Sequence, residues 1–314
     1  MKIAFLFPGQ GSQMTGMCKD LYDNFEEIRE IYEKVKKISD IDIANISFNS
    51  ENSELLNQTK YTQICILTMS LSILNLIQKN NIKAQISSGL SLGEYTSLIY
   101  SKKIDFETGI KLVKNRGKYM QELVPTGNWK MAAILGLRDE IVEKICTENK
   151  VGFAQAVNFN CPGQVVVSGD EEGILSIEQK AKENGAKKVR ILNTSGPFHT
   201  LKLKDASNYL RKDLENVTFG KFETDVIKNL DGKNYTDQDD MVEILSNHII
   251  NPVRFSIGIE NMINQGFDTF IEIGPGKTLS GFVKRINTDK KINILNIGDI
   301  ESYEKTLEFL KINN

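Results

Sequence analysis

A Gly-Leu-Ser-Leu-Gly pentapeptide at residues 89–93 limits the architectures open to this chain. The apolar and small residues at 82–87 predict a short buried strand before it, and residues 94–100 predict a helix after it. A serine on the sharp turn between a strand and a helix is exposed at the end of a sheet, where it can act as a nucleophile. Because such a turn brings two backbones together, glycines on both sides of Ser91 leave the space that a Cβ atom would fill. The pattern therefore predicts a strand, turn and helix unit with Ser91 as the candidate nucleophile.

Size and composition exclude several classes of function. The 314 residues can form a substantial core, in one large domain or two smaller ones. Lys and Arg number 39 against 41 Asp and Glu, so the net charge of −2 gives no general attraction to nucleic acid or to an anionic membrane. No apolar run approaches the ~20 residues that span a bilayer. Four widely spaced cysteines without a C-x-x-C pair indicate buried thiols and no metal site. We expect a cytoplasmic protein that binds no metal, nucleic acid or membrane.

The order of the predicted elements changes near residue 126. Between residues 129 and 192 the segments alternate as β-α-β-β-α-β, at 131–135, 139–147, 154–158, 164–168, 171–184 and 188–192. Outside that region we predict strands at 3–7, 82–87, 225–229 and 269–273, and helices at 21–38, 61–77, 94–100, 106–123, 201–215 and 303–312. The small unit matches a ferredoxin-like, split β-α-β arrangement. We therefore predict an α/β protein in which an α/β-hydrolase-like catalytic domain with a parallel sheet (residues 1–125 and 197–314) carries an inserted ferredoxin-like subdomain (residues 126–196).

The chain has only two histidines, which narrows the choice of a base. A serine hydroxyl needs a nearby base to become a good nucleophile, and that base is usually histidine. His199 lies between a predicted strand and a predicted helix, and loops at strand ends are where α/β sheets assemble active sites. His248 comes late in a predicted helix, where a solvated histidine interacts favourably with the helix dipole. His199 is therefore the preferred candidate for the base.

Six segments of the chain carry a resemblance to a known family. They are residues 7–13 (FPGQGSQ), 89–95 (GLSLGEY), 116–120 (RGKYM), 158–169 (NFNCPGQVVVSG), 196–199 (GPFH) and 272–279 (EIGPGKTL). Together they resemble the malonyl-CoA:acyl carrier protein transacylases. The segments occur in the family's order and cover nearly the whole chain, so the resemblance does not depend on a single motif.

The resemblance implies a ping-pong transfer through a malonyl-serine intermediate. Ser91 would attack the malonyl thioester, and His199 would take its proton and later activate the thiol of the carrier. The backbone N–H groups of Gln10 and Leu92 would form the oxyanion hole, in agreement with the position of Leu92 directly after the serine. In the family a backbone carbonyl orients the histidine, and the matching position is His248, where the family usually has Gln.

The resemblance also assigns residues to the substrate site. Arg116 would bind the free carboxylate of the malonyl group with its guanidinium fork, although the residue pattern alone, with three lysines on the same predicted helix, indicates a solvated arginine. Met120 is placed in the same pocket. Phe198 would narrow the pocket where an α-methyl group projects and so favour malonyl over methylmalonyl groups.

The chain departs from the family before its nucleophile, where Leu90 replaces the usual His. Other functions stay open: a serine hydrolase or thioesterase, a freestanding acyltransferase of a polyketide pathway, and a silent binding subunit. The implied partners are malonyl-CoA and an acidic acyl carrier protein, with coenzyme A entering only as part of the substrate and no cofactor required. Basic residues near the predicted subdomain boundary are candidates for docking the carrier: Lys187, Lys188, Arg190, Lys202 and Lys204. We expect a monomer.

Overall fold

The computed structural model describes residues 1–192, 196–287 and 289–313 and arranges its strands in two sheets. The strands are β1 (Ile3–Phe7), β2 (Ile86–Gly89), β3 (Trp129–Leu135), β4 (Ala154–Cys161), β5 (Gln164–Asp170), β6 (Lys188–Ile191), β7 (Asp225–Val226), β8 (Thr269–Ile273) and β9 (Asn293–Ile297). The helices are α1 (Lys19–Asn24), α2 (Glu26–Ser39), α3 (Ile43–Phe48), α4 (Ser53–Leu56), α5 (Thr59–Lys79), α6 (Leu92–Tyr100), α7 (Phe106–Glu122), α8 (Asp139–Thr147), α9 (Glu171–Glu183), α10 (Lys204–Leu214), α11 (Met241–His248), α12 (Phe255–Asn264), α13 (Thr278–Ile286) and α14 (Ile300–Asn313).

The larger sheet is parallel and has the strand order β7-β2-β1-β8-β9. Its central strands β1, β2 and β8 are buried along their whole length, as expected for a parallel sheet covered on both faces. Phe7 pairs with Gly89, so β1 and β2 end at the same level. The loop after β1 and the serine turn after β2 therefore meet at one edge of the sheet, where α/β folds place their binding sites.

Alternate residues of β1 divide the core into two layers. Phe5 and Phe7 belong to the main hydrophobic cluster, whereas Ala4 and Leu6 face a second cluster that includes residues of α12 and α13. This alternation follows from the two-residue period of a strand. Strand β1 thus lies inside the molecule and is packed on both of its faces.

The smaller sheet is antiparallel and has the strand order β4-β5-β3-β6. Because β5 lies between β3 and β4, which α8 connects, the unit is a split β-α-β fold. Ala132 and Ile134 of β3 pack in a separate cluster with α8 and α9, while Met131 and Ala133 face the main cluster. The predicted α/β class, with a parallel sheet and a separate antiparallel sheet, is confirmed. The domain boundaries at residues 126 and 196 stay a prediction, and residues 193–195 beside the second boundary lie outside the described residues.

Several element predictions needed correction. The helix expected at 21–38 is interrupted at Phe25, which is extended (φ −123°, ψ 127°) and whose ring packs edge-on against Tyr303 of the C-terminal helix. The strand expected at 225–229 pairs with β2 over only two residues. The strand expected at 82–87 begins later, at Ile86. Strand β9 and helices α3, α4, α12 and α13 were not predicted.

The buried helix α5 resembles a membrane-spanning helix in length and composition. Its 21 residues have a mean hydropathy of 1.3 over an 18-residue window, which makes it long and apolar enough to cross a bilayer by length and composition alone. The expectation that no segment reaches this length was therefore wrong. However, 83% of that window is buried inside the protein, so its apolar surface is covered by the neighbouring elements. The helix is a core helix of the larger unit.

Candidate active site

Ser91 stands on a strained turn between β2 and α6. Its backbone has φ 52° and ψ −101°, a conformation that is costly for a residue with a side chain. A Cβ atom on Gly89 would overlap the backbone of Gly93, and one on Gly93 would overlap the Phe7 carbonyl of β1. The predicted need for glycine on both sides of the serine is confirmed. The turn can form only because these two positions have no side chain.

His199 lies next to the nucleophile. The Oγ of Ser91 is 2.9 Å from the Nε2 of His199, and the other ring nitrogen, Nδ1, lies 2.9 Å from the backbone carbonyl oxygen of His248 and 3.2 Å from that of Asn251. Because a carbonyl oxygen only accepts hydrogen bonds, Nδ1 carries the hydrogen and the lone pair of Nε2 faces the serine. The imidazole is therefore in the tautomer that a general base requires.

The surroundings of His199 keep its imidazole neutral. Its side chain is buried, and this burial, together with the nearby His248 and Arg116, lowers the pKa of His199 from its ordinary value of 6.5 to about 3. Hydrogen bonds to the two backbone carbonyls partly oppose this shift. At neutral pH the residue is consequently available to accept a proton.

Arg116 of helix α7 also contacts the candidate nucleophile Ser91. Its Nη2 donates to Ser91 Oγ at 3.0 Å, and its Nη1 donates to the Oε1 of Gln63 at 2.6 Å. The residue is 0% exposed, and within the described part of the chain no carboxylate lies within 4.0 Å of the guanidinium. The alternative of a solvated arginine is wrong. A buried cation with no carboxylate in contact is costly by itself and is typical of a site that binds an anion.

Two backbone N–H groups are available beside Ser91. Neither Gln10 in the loop after β1 nor Leu92 at the start of α6 donates its backbone N–H to an acceptor within the described residues. The side chain of Gln10 is held by a hydrogen bond of 3.0 Å from Nε2 to the Thr59 hydroxyl. Both backbone N–H groups therefore remain candidates for the oxyanion hole.

A cavity of about 210 Å³ opens above Ser91 and His199. Met120 and Phe198 line it, as expected, and one wall comes from the smaller sheet, with the residues Met131, Ala133, Asn158, Asn160, Gln164 and Val166. A second cavity of about 620 Å³ shares Gln10, Met120, Leu192 and Phe198 with the first. The two cavities are therefore neighbours, and the first of them contains Ser91.

His248 has a second role in the structure that the sequence did not reveal. Its side chain is 0% exposed, so the alternative of a solvated histidine is wrong. The ring lies with its Nδ1 2.9 Å from the Oε2 of Glu94. Gln63, Glu94, Asn229 and Asn251 were all missed as site residues. Each of them contributes a polar side chain or a backbone carbonyl to the site. This contribution is visible only when distant segments of the chain are brought together in the fold.

Leu90, the residue before the nucleophile, is half-buried and packs against the second hydrophobic cluster. No group of three or more His, Cys, Asp or Glu side chains suited to a metal ion occurs within residues 1–192, 196–287 and 289–313.

Known proteins resemble this chain along its whole length. Residues 4–295 match the profile of the acyl transferase domain. The malonyl CoA-acyl carrier protein transacylase of Bacillus subtilis is 36% identical over 315 residues, which cover 100% of this chain and 98% of that protein. The crystal structure of the malonyl CoA-acyl carrier protein transacylase of Clostridium perfringens shares 42% identity and a TM-score of 0.93, covering 99% of this chain and 98% of the other. A malonyl-transacylase in complex with a type II polyketide synthase acyl-carrier protein shares 34% identity and a TM-score of 0.93, covering 98% and 100%.

Proposed function

The chain belongs to the acyl transferase family of malonyl-CoA:acyl carrier protein transacylases, and on that basis we propose that it transfers malonyl groups from malonyl-CoA to the thiol of an acyl carrier protein through Ser91 and His199. The enzyme is an acyltransferase that supplies fatty-acid synthesis. The observation that carries the assignment of the site is the buried guanidinium of Arg116, which has no carboxylate within 4.0 Å in the described residues and contacts Ser91 Oγ at 3.0 Å.

The first half of the reaction is acylation of the enzyme. His199 Nε2 takes the proton from Ser91 Oγ, over a contact of 2.9 Å, as the oxygen attacks the thioester carbonyl. The backbone N–H groups of Gln10 and Leu92 stabilise the resulting oxyanion. The C–S bond then breaks, and His199 gives its proton to the departing thiolate. Coenzyme A leaves, and the malonyl group stays on Ser91 as an ester.

The second half reverses these steps with a different thiol. The phosphopantetheine thiol of the carrier enters the cavity that contains Ser91 and His199. His199 accepts the proton of this thiol, the sulfur attacks the malonyl ester, and the proton returns to Ser91 as the ester bond breaks. The backbone carbonyls of His248 and Asn251 hold the imidazole in one orientation through both halves.

Arg116 selects the acyl group. A guanidinium fork binds a carboxylate with two charge-assisted hydrogen bonds, and a malonyl group carries a free carboxylate. On binding, this carboxylate replaces the contact between Arg116 and Ser91 Oγ, which frees the hydroxyl for attack. Met120 and Phe198 complete the pocket around the acyl chain. A simple hydrolase would have no use for a buried cation at this position.

The proposal is tested by intact mass after brief mixing with malonyl-CoA. We expect a malonyl adduct on the wild type, none on S91A, and at least ~10-fold slower formation on R116A, because a buried charge pair is worth several kcal/mol. The matched control is K118A, which removes an exposed cation from the same helix and should acylate at the wild-type rate.

A second donor separates the clamp from the general chemistry. With acetyl-CoA, which has no carboxylate, R116A should lose far less than with malonyl-CoA. An adduct on S91A would refute the nucleophile, and equal losses with both donors would refute the clamp. Rapid hydrolysis of the wild-type adduct in the absence of carrier protein would favour the thioesterase alternative, and no adduct at all would favour the silent subunit.

We further propose where the enzyme acts and that its reaction uses no cofactor. The enzyme acts in the cytoplasm, which is supported by four cysteines that are all free thiols. It needs no cofactor, since every step above uses only the two side chains, backbone N–H groups and the substrates. A purified sample treated with a metal chelator should acylate at its original rate.

A further inference from the structure

The buried carboxylate of Glu94 lies behind both proposed catalytic residues. Glu94 is the third residue of helix α6, immediately after the serine turn, and is 1% exposed. Its Oε2 lies 2.9 Å from the Nδ1 of His248, although the ring is turned so that the contact has ion-pair distance without the alignment of a hydrogen bond. Since a carboxylate only accepts, the Nδ1 of His248 must carry the hydrogen for this contact to be favourable. The pair is thus a specific polar contact in an apolar interior.

A closed chain of contacts runs through Glu94. The backbone N–H of Ser91 donates to the Oδ1 of Asn229 at 2.7 Å, and the backbone N–H of Asn229 donates to the Oε1 of Glu94 at 3.1 Å. From Glu94 the chain continues through the side chain of His248 to its carbonyl oxygen, which accepts from His199 at 2.9 Å, and returns to Ser91 Oγ. We call these five residues the Glu94 network.

The network connects four separate parts of the sequence. Ser91 and Glu94 belong to the serine turn and helix α6, Asn229 follows β7, His248 ends α11, and His199 precedes α10. Asn229 also donates from Nδ2 to the Gly89 carbonyl at 2.7 Å, so both sides of the strained turn are held.

Leaving this carboxylate without partners would be expensive. The hydroxyl of Tyr235 donates to Glu94 Oε1 at 2.8 Å, so this oxygen has two donors, whereas within the described residues His248 is the residue that approaches Oε2. A buried charge that loses one partner causes a large destabilisation and shifts the groups around it. Movement of His248 would move the carbonyl that orients His199.

We propose that Glu94 and the His248 side chain are positioning residues, which together fix the distance between the nucleophile and the base. This inference rests on the proposed function, because it assigns a task to residues that support the Ser91 and His199 pair. Any side chain at position 248 that can donate to Glu94 would serve, so the histidine is one solution to a requirement set by the carboxylate. A displacement of ~1 Å at a reacting pair can reduce rates about 100-fold, so such positioning is a kinetic requirement.

The test compares single-turnover acylation by malonyl-CoA in the wild type, H248L, H248Q, E94Q and E94Q/H248L. We expect H248L to slow acylation about tenfold or more at saturation while the half-saturating malonyl-CoA concentration changes less than about twofold, because only geometry is lost. H248Q retains an N–H donor and should lose less than H248L. The double variant should be no slower than H248L, because the neutral amide that E94Q introduces does not need the missing donor.

Controls separate positioning from stability. L245V, in the same helix and in the main core, should lower the melting temperature without changing the acylation rate of the folded enzyme. If H248L does not fold, Y235F tests the same network by removing one donor to Glu94, and a rate reduced about threefold at unchanged half-saturation is expected.

Each contrary result overturns a defined statement. An acylation rate equal to that of the wild type in H248L or Y235F would refute the positioning role. A rate reduction in the double variant equal to the product of the reductions in E94Q and H248L would refute it as well. Equal losses in H248Q and H248L would refute the requirement for a donor. Failure of the wild type itself to form the malonyl adduct would instead refute the proposed function, so the two failures are distinguishable.

Discussion

The proposed base His199 is held by backbone groups and not by a carboxylate. Its Nδ1 faces two carbonyl oxygens, and its own backbone N–H donates to the carbonyl of Ile249 at 3.1 Å. The residue adopts φ 60°, so both the main chain and the ring are constrained. Such constraint favours one tautomer without a neighbouring negative charge, and the pKa of the imidazole stays low.

The low pKa of His199 predicts how stability depends on pH. An imidazole with a pKa of 6.5 when unfolded and about 3 when folded binds more protons in the unfolded state between those values. The contribution of the neutral imidazole to the free energy of unfolding is therefore lost as the pH falls from 6.5 toward 3. Between pH 7.5 and pH 5 the free energy of unfolding of the wild type should fall by about 2 kcal/mol more than that of H199Q, measured by urea denaturation. An equal fall in both proteins would show that His199 is not a buried neutral group.

Phe198 predicts selectivity for the acyl group. It is buried, lines the cavity and directly precedes the base. F198A should reduce the preference for malonyl-CoA over methylmalonyl-CoA about tenfold or more in kcat/KM, since steric rejection of one methyl group is worth ~1 to 3 kcal/mol. F219A, a partly buried phenylalanine that does not line the cavity, is the control and should leave the preference unchanged. An unchanged preference in F198A would assign the rejection to another residue.

Residue-level chemistry was predictable where it follows from local order. The positions of Ser91 and of the candidate N–H donors depend on the strand and turn around them, and the resemblance supplied Arg116. The contact between Glu94 and His248 was not predictable, because 154 residues separate the two and a histidine near a helix C-terminus is more commonly solvated. A sequence pattern can predict where a helix ends, but it does not predict which other segment of the chain packs over that end.

Among the elements, the serine turn depends on the close approach of α6 to β1. Gly93 sits where the helix meets the Phe7 carbonyl, and the backbone there leaves no space for a side chain. Because of this contact, the start of α6 lies beside the end of β1. The candidate N–H donors therefore lie at the same edge of the sheet. The close packing of the two elements, and not the serine alone, defines the site.

The glycine at this contact yields a stability prediction. G93A forces two backbone segments apart, so we expect a loss of about 3 kcal/mol or more and a clearly lower melting temperature. The matched control is G281A in helix α13, where no atom lies within 4 Å of a new Cβ and alanine is the better helix former by ~1 kcal/mol. Its melting temperature should rise by about 2 to 4 °C. Equal shifts in the two variants would contradict the packing argument.

The elements differ in how well the sequence predicted them. Helix α8 and strand β8 were found with their bounds, because each has a regular pattern and a clear start and end. Strand β9, with Asn293 and Asn296, has no uniform apolar pattern, and its pairing with β8 supplies what the sequence lacks. The two-residue strand β7 is likewise defined by its neighbour β2 and by no property of its own.

For the whole molecule, the exposed basic residues define a candidate docking face. Lys187, Lys188 and Arg190 flank or belong to β6, and Lys202 and Lys204 follow the proposed base. Lys202 also lies over the rings of Phe153 and Trp129, at 4.9 and 5.8 Å from their centroids, which joins the two units beside the site. All five are exposed, so an acidic carrier protein can reach them.

Charge reversal tests the docking face. K187E/K188E should raise the KM for the carrier protein about threefold or more with little change in kcat, because rim charges act mainly on association. K34E/K37E, with the same change in charge on the exposed side of α2, is the control and should not alter KM. We would abandon this docking face if both double variants had the wild-type KM.

The two units contribute different things to the cavity. The nucleophile, the base and the guanidinium all come from the larger unit, whereas Met131, Ala133, Asn158 and Val166 of the smaller sheet form only a wall. Strands β3 and β6, the first and last of that sheet, pair side by side, so the chain leaves and rejoins the larger unit at adjacent points. Substitutions of these wall residues should therefore change which acyl group or carrier is accepted, while the proton transfers proposed for Ser91 and His199 stay the same.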